Sequence, residues 1–250
     1  MPSRDKRLGV ERARSRFRDL TSRLLLRWHR HPMPGPRSRR KTIDRALLLV
    51  DVQNDFVDGT LPVQGAARIV PMLNRYVDLF AERGVPVYLS RDWHPPETSH
   101  FAPWGGSGAL LPHCVRGSAG AAFAADLHVP VGVVIISKGT GAGEQGFSAF
   151  DGHHPGPVSL RRCLETRGVR TLYVGGLGAG VRATVLDGAQ LGMDVVLLAD
   201  AVRGIDGTSA RLRRAIDEMC RAGARVEQFD DVERELGGYP RIASGASSLA

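Results

Sequence analysis

Ala46-Leu47-Leu48-Leu49-Val50-Asp51 is the stretch that decides the fold. An unbroken apolar run closed by a carboxylate marks a strand buried on both faces, because a strand with one wet face would alternate polar and apolar residues. Outward from it, strand-like and helix-like stretches take turns. Pro71 can open a helix that runs through Tyr76 and Phe80 to a stop at Gly84. Residues 85–89 and 133–137 read as strands, and 160–166 as a helix stopped by Gly168. The order then continues with a strand at 172–174, a helix at 181–190, a strand at 195–199, a helix at 209–221 and a short strand at 226–229. The alternation predicts a three-layer α/β domain, with a mostly parallel sheet of about six strands and helices on both faces.

Ligands of such sheets bind beyond the carboxyl ends of the strands. That rule selects Asp51 after the first strand, Asp92 and His94 after the second, Lys138 after the third, and the Gly-rich residues 175–180 after the fourth. A carboxylate at a strand end is commonly a loop or capping residue, but acid, lysine and imidazole together at strand ends point to a site.

Composition excludes several classes. Of the 250 residues 42% are hydrophobic and 24% charged, which is ordinary globular usage. No apolar run approaches the ~20 residues of a bilayer span. Three cysteines, Cys114, Cys163 and Cys220, are too few and too scattered for a disulfide scaffold, and they fit a reducing, cytoplasmic setting. The net charge of +8 is unevenly placed. Residues 1–41 hold 14 of the 34 Lys and Arg but 3 of the 26 Asp and Glu, a net +11, which leaves the remainder at −3. The division predicts a basic extension over 1–41 and one folded domain over 42–250, with no nucleic-acid footprint on the body. Within the extension Phe17, Leu20, Leu24 and Trp28 recur at helical spacing among arginines, and a Pro/Gly-rich linker follows at 32–38. This segment reads as a basic amphipathic helix suited to a membrane surface, an acidic partner or organelle targeting, as a solvated, disordered extension, or as an upstream start with Met33 the real initiator.

At the selected strand ends the chain resembles the nicotinamidase branch of the isochorismatase-like (cysteine hydrolase) superfamily, over roughly residues 45–205. The resemblance rests on Leu49-Val50-Asp51-Val52-Gln53-Asn54-Asp55-Phe56, Arg91-Asp92-Trp93-His94-Pro95, Ser99-His100-Phe101, Pro112-His113-Cys114 and Ser137-Lys138-Gly139-Thr140. Phe147-Ser148-Ala149-Phe150, Val181-Arg182-Ala183-Thr184 and Asp200-Ala201 extend it. It implies hydrolysis of nicotinamide to nicotinate and ammonia, with Asp51 as general base and Lys138 as its cationic partner. It also implies a divalent Zn, Fe or Mn ion held by Asp92, His94, His100 and His113, with the pyridine nitrogen of the substrate approaching the ion. Phe56, Gly178 and Ala179 are implied at the substrate, and Leu110-Leu111 stands where the family carries a tryptophan. A small amide or pyridine-like ligand and a homo-oligomeric assembly are expected.

One departure stands out. The family's nucleophilic cysteine at the amino end of the helix after the fourth strand is replaced by Gly180, in a segment two residues shorter. Two residues are about 7 Å of chain reach, so position 180 is expected to fall short of the site. Cys114 is no substitute, since the family has a non-nucleophilic cysteine there, and Cys163 and Cys220 read as core thiols. The departure leaves open an amidase working through activated water, a thiol-free isochorismatase-type hydrolase, and an inactive pseudoenzyme that binds metal and a pyridine-like ligand. A separate reading takes residues 178–183, with Asp200 22 residues beyond Gly178, as a dinucleotide-binding fingerprint.

Overall fold

A computed structural model describes residues 43–102, 110–204 and 209–241, with the backbone alone at 209 and 210. The basic segment 1–41, with its amphipathic pattern and its linker, lies outside the described residues. In chain order the elements are β1 (Arg45–Val50), α1 (Asn54–Val57), α2 (Ala66–Glu82), β2 (Val87–Asp92) and β3 (Val134–Lys138). A 3₁₀ turn at Ala149–Asp151, β4 (His153–His154), β5 (Val158–Ser159) and α3 (Leu160–Thr166) follow. The chain then forms β6 (Thr171–Leu177), α4 (Ala179–Gln190), β7 (Asp194–Arg203), α5 (Ser209–Arg221), β8 (Arg225–Glu227) and α6 (Phe229–Leu236).

The strands form one sheet in the order β5-β4-β3-β2-β1-β6-β7-β8. The expected α/β architecture holds, but the sheet has eight strands rather than about six. The two extra ones, β4 and β5, are antiparallel pieces of two residues each, too short to carry a hydrophobic period. β1 is interior and pairs in parallel with β2 on one side and β6 on the other. Its side chains alternate between two cores. Leu47 and Leu49 pack with α2 and α6, whereas Ala46, Leu48 and Val50 pack with α3, α4 and α5. That division is why the apolar run has no polar interruption.

Two local expectations are corrected. Helix α2 begins at Ala66, so Pro71 lies inside it rather than at its first position. The buried face Ala66, Ile69, Val70, Leu73, Tyr76, Val77 and Phe80 carries the helix through the proline, whose ring is exposed. Cys163 is buried as expected, but Cys220 is exposed.

The β1–β6 contact is unusually close at its carboxyl end. Gly176 has φ +125°, and a Cβ there would sit 2.1 Å from the Val50 carbonyl oxygen. Only glycine lets the two strands close at this level. The closure brings the start of α4 alongside the residue that follows β1.

Candidate active and metal site

Sheet register assembles the polar centre. Val50 is level with Ser90, and Asp92 is level with Lys138 across β2 and β3. Asp51 leaves β1 in the left-handed region, with φ 57°. A non-glycine residue rarely adopts this conformation, although aspartate is among those that tolerate it best. The Ser90 hydroxyl donates to Asp51 Oδ1 at 3.0 Å. Lys138 Nζ lies 2.8 Å from Asp51 Oδ2 and also bonds Asp92 Oδ1. All three charged groups are buried.

Burial pushes the Asp51 carboxyl up to about 6, against the pull of the Lys138 charge. Burial also opposes ionisation of Asp92, but Lys138 and His94 hold its carboxyl down at about 2. The Lys138 ammonium is penalised by burial, yet the two carboxylates raise it above its ordinary value. Two carboxylates and one ammonium carry a net negative charge when Asp51 is ionised.

Beside this centre stand His94, His100 and His113, one nitrogen of each within 4.8 Å of the others. Their tautomers follow from their partners. His94 Nδ1 is 3.0 Å from the Gly139 carbonyl and His113 Nδ1 is 2.8 Å from the Leu111 carbonyl. A carbonyl only accepts, so both Nδ1 atoms carry the proton. The Thr98 hydroxyl donates to the Ala142 carbonyl at 3.0 Å, which leaves its oxygen to accept from His100 Nδ1 at 2.7 Å. Each Nε2 is thereby left with a lone pair. The Nε2 atoms of His94 and His100 are buried with no hydrogen-bond partner among the described residues.

Burial pushes His100 down to about 4 and lowers His113 as well, so both are neutral at physiological pH. The Phe101 ring, fully buried, backs all three imidazoles at 5.6, 4.8 and 5.3 Å. Asp92 Oδ2 lies 3.7 Å from His94 Nε2 while Oδ1 serves Lys138. Imidazoles whose Nδ1 atoms are all engaged, next to a carboxylate with one oxygen free of Lys138, fit a divalent borderline cation. Gly139 is required here: at φ +62° its Cβ would lie 2.4 Å from His94 Cε1.

Several residues that shape the site were not singled out from the sequence. Gln53, fully buried, donates to the Asp92 and Ala121 carbonyls and accepts from the Asp92 amide at 2.8 Å, fixing the ligand strand end. Asp55 accepts the Cys114 amide at 2.7 Å, and the His94 amide donates to the Cys114 carbonyl at 3.1 Å. Their signal was present as buried-type polar residues inside the Val52–Asp55 stretch, but no spacing rule assigns them partners 39 to 68 positions away. Phe56 is on α1 with its ring 5.7 Å from His113 and also joins the core. Leu110 and Leu111 are exposed.

Position 180 corrects the expectation drawn from the shortened segment. The shortening is absorbed before the helix: α4 starts at Ala179, directly after Gly178 at φ 74°. Gly180 therefore sits in the first turn, buried, and faces Asp51. A Cβ at 180 would be 2.7 Å from Asp51 Oδ2, 3.0 Å from the Phe147 carbonyl oxygen and 3.2 Å from Val50 Cγ1. Ala179 is exposed beside it. The dinucleotide reading loses its acid, because Asp200 accepts from the Tyr76 hydroxyl at 2.8 Å and the Phe229 amide at 3.0 Å.

Comparison with known proteins agrees with this geometry. The isochorismatase domain model matches residues 45–231. Nicotinamidase of Escherichia coli is 34% identical over 210 residues, covering 77% of this chain and 99% of that protein. The pyrazinamidase of Pyrococcus horikoshii, solved in complex with zinc, is 37% identical with a TM-score of 0.67, covering 74% of this chain and 99% of that one. An L. infantum protein solved in complex with nicotinate is 29% identical with a TM-score of 0.65, covering 75% and 93%.

Proposed function

The chain belongs to the nicotinamidase branch of the isochorismatase family, and on that premise we propose that it hydrolyses the carboxamide of a small nitrogen heteroaromatic, nicotinamide first, to the acid and ammonia. The observation that carries the reading is the buried Asp51–Lys138–Asp92 chain set against three imidazoles with inward lone pairs. His94, His100, His113 and Asp92 would hold a Zn, Fe or Mn ion. When bound, that ion supplies a Lewis-acid seat for the ring nitrogen of the substrate. The zinc of the Pyrococcus relative and the nicotinate of the L. infantum relative support this assignment of the two halves.

In this reading Asp51 is the proton acceptor and Lys138 remains charged beside it, steadying negative charge as the carbonyl is attacked. Phe56, through its contact with His113, together with Gly178 and Ala179 at the head of α4, would border the substrate. The three-histidine set favours an amide substrate over the isochorismatase type of reaction.

Gly180 supports a second reading, a pseudoenzyme that binds metal and a pyridine-like ligand without turning it over. One experiment separates the two. Protein purified without chelator is assayed for bound metal and for ammonia release from nicotinamide and pyrazinamide. Metal with ammonia release supports the amidase, and metal with pyridine binding but no release supports the pseudoenzyme. A cytoplasmic, homo-oligomeric protein whose segment 1–41 touches anionic surfaces completes the proposal. Among the described residues no helix is long and apolar enough to cross a membrane.

A further inference from the structure

At position 180 helix α4 presents no side chain to Asp51, and the carboxylate itself stands at the head of the helix. The 2.7 Å separation between Asp51 Oδ2 and the Cβ position of residue 180 means that the carboxylate fills ground that any side chain there would contest. Its other oxygen is tied to Ser90, and Lys138 holds Oδ2 from behind. The amino end of a helix also carries partial positive charge suited to a developing oxyanion.

The three cysteines and the serine bonded to Asp51 are poorly placed as nucleophiles. The Cys114 thiol is fully buried in the core cluster. The Ser90 hydroxyl is fully buried within β2 and donates to Asp51. Cys163 is buried on α3, and Cys220 is exposed on α5, whose partner across the helix layer is α4 rather than the strand ends.

Resting on the amidase reading above, we infer that this chain hydrolyses its amide without a covalent acyl-enzyme, Asp51 directing water onto the carbonyl from the place at the head of α4 that Gly180 leaves to its carboxylate. The step balances with water and amide alone. Water oxygen bonds to the carbonyl carbon as one proton passes to Asp51 Oδ2. The carbon–nitrogen bond then breaks, that proton goes to the departing nitrogen, and acid and ammonia leave with Asp51 restored. Gly180 is here a positioning residue, since it touches neither substrate nor water but lets Oδ2 stand where it does.

The test uses the full-length, metal-replete protein and nicotinamide in ¹⁸O-water, with enzyme in excess for one turnover and then with many turnovers. Water attack places solvent oxygen in the first nicotinate formed, leaves the Asp51 peptide unlabelled, and gives no acyl adduct on acid quenching. Label in Asp51, or an acyl group on Ser90 or Cys114, overturns the inference while leaving the amidase reading intact. No ammonia above that of Asp51→Asn overturns the amidase reading and the inference with it.

Gly180→Ala supplies a second measurement. Position 180 is helical with no left-handed φ, so alanine suits the backbone. Its Cβ must displace the carboxylate, and ammonia release is expected to fall roughly a hundredfold with metal content unchanged. Full activity in Gly180→Ala overturns the positioning role. If that variant fails to fold, the isotope result decides alone.

Discussion

Around His94, His100 and His113 every ring has its Nδ1 tied to an oxygen, whereas at the amino end of α4 the residue facing Asp51 has no side chain at all. The histidine side is over-determined. A buried phenylalanine, a threonine hydroxyl, two carbonyls and a glycine at positive φ all constrain where the imidazoles point. The α4 side keeps only its carboxylate and lysine. An arrangement this costly to bury, with charges and lone pairs withdrawn from water, is difficult to retain without a ligand to stabilise it. The contrast sets a pre-formed imidazole cluster against a helix head whose chemistry, in the function proposed above, rests on Asp51.

The largest effect that can break this comparison comes from Asp51→Asn. The amide keeps the shape and can still meet Ser90, but it cannot take a proton. Ammonia release should fall by roughly 10³- to 10⁴-fold, while metal content stays at the wild-type level. Release that survives the change would move the chemistry away from the α4 side altogether.

His94→Ala attacks the other side. With one imidazole gone, metal affinity should drop by more than the roughly 10- to 100-fold typical of losing an outer partner, measured by competition with a chromophoric chelator. Thermal stability of the metal-free protein should change little by comparison. Unaltered affinity would remove His94 from the ligand set and with it the claim that this side is the binding half.

The pH profile sharpens the comparison by a smaller factor, because Asp51 and His100 titrate in different windows. Asp51 acts as base only when ionised, and its carboxyl is raised to about 6 chiefly by burial. Release should accordingly be flat above that pH and decline about tenfold per unit below it. His100 is held near 4, so its lone pair survives in the range where the base has already failed. By pH 5 kcat/KM should have dropped while His100 keeps its lone pair. A rate that rises on acidification would instead indicate a protonated Asp51 acting as acid.

Much of this arrangement was legible in the sequence, and the exceptions have physical causes. The β1 run declared its double burial because both faces meet helices, and the strand-end rule then led to Asp51, Asp92, His94 and Lys138. β4 and β5 left no trace, since two residues cannot express a period. Pro71 misled because a proline suits the first turn, yet the strong apolar face of α2 outweighs it. The reach argument at position 180 counted residues along the chain and missed the Gly176 closure, which brings the start of α4 to β1 and leaves the shorter segment long enough. Gln53, Thr98 and Phe101 were not assigned roles because their roles exist only between segments that folding brings together.

The smallest expected effect tests how deep the over-determination of the histidine side goes. Thr98→Val keeps the volume and β-branching of a fully buried residue and removes only its hydroxyl. That hydroxyl relays between the Ala142 carbonyl and His100 Nδ1, so its loss leaves the imidazole N–H without an acceptor and frees the ring to turn or to shift its proton to Nε2. A proton on Nε2 cancels one lone pair, but His94 and His113 keep theirs through their own carbonyls. Metal affinity should therefore fall only about tenfold. Ammonia release at saturating metal should be nearly restored, because Asp51 and Lys138 are untouched. A loss that excess metal cannot repair would show that Thr98 supports the α4 side as well, and the two halves would then have to be treated as one cooperative unit.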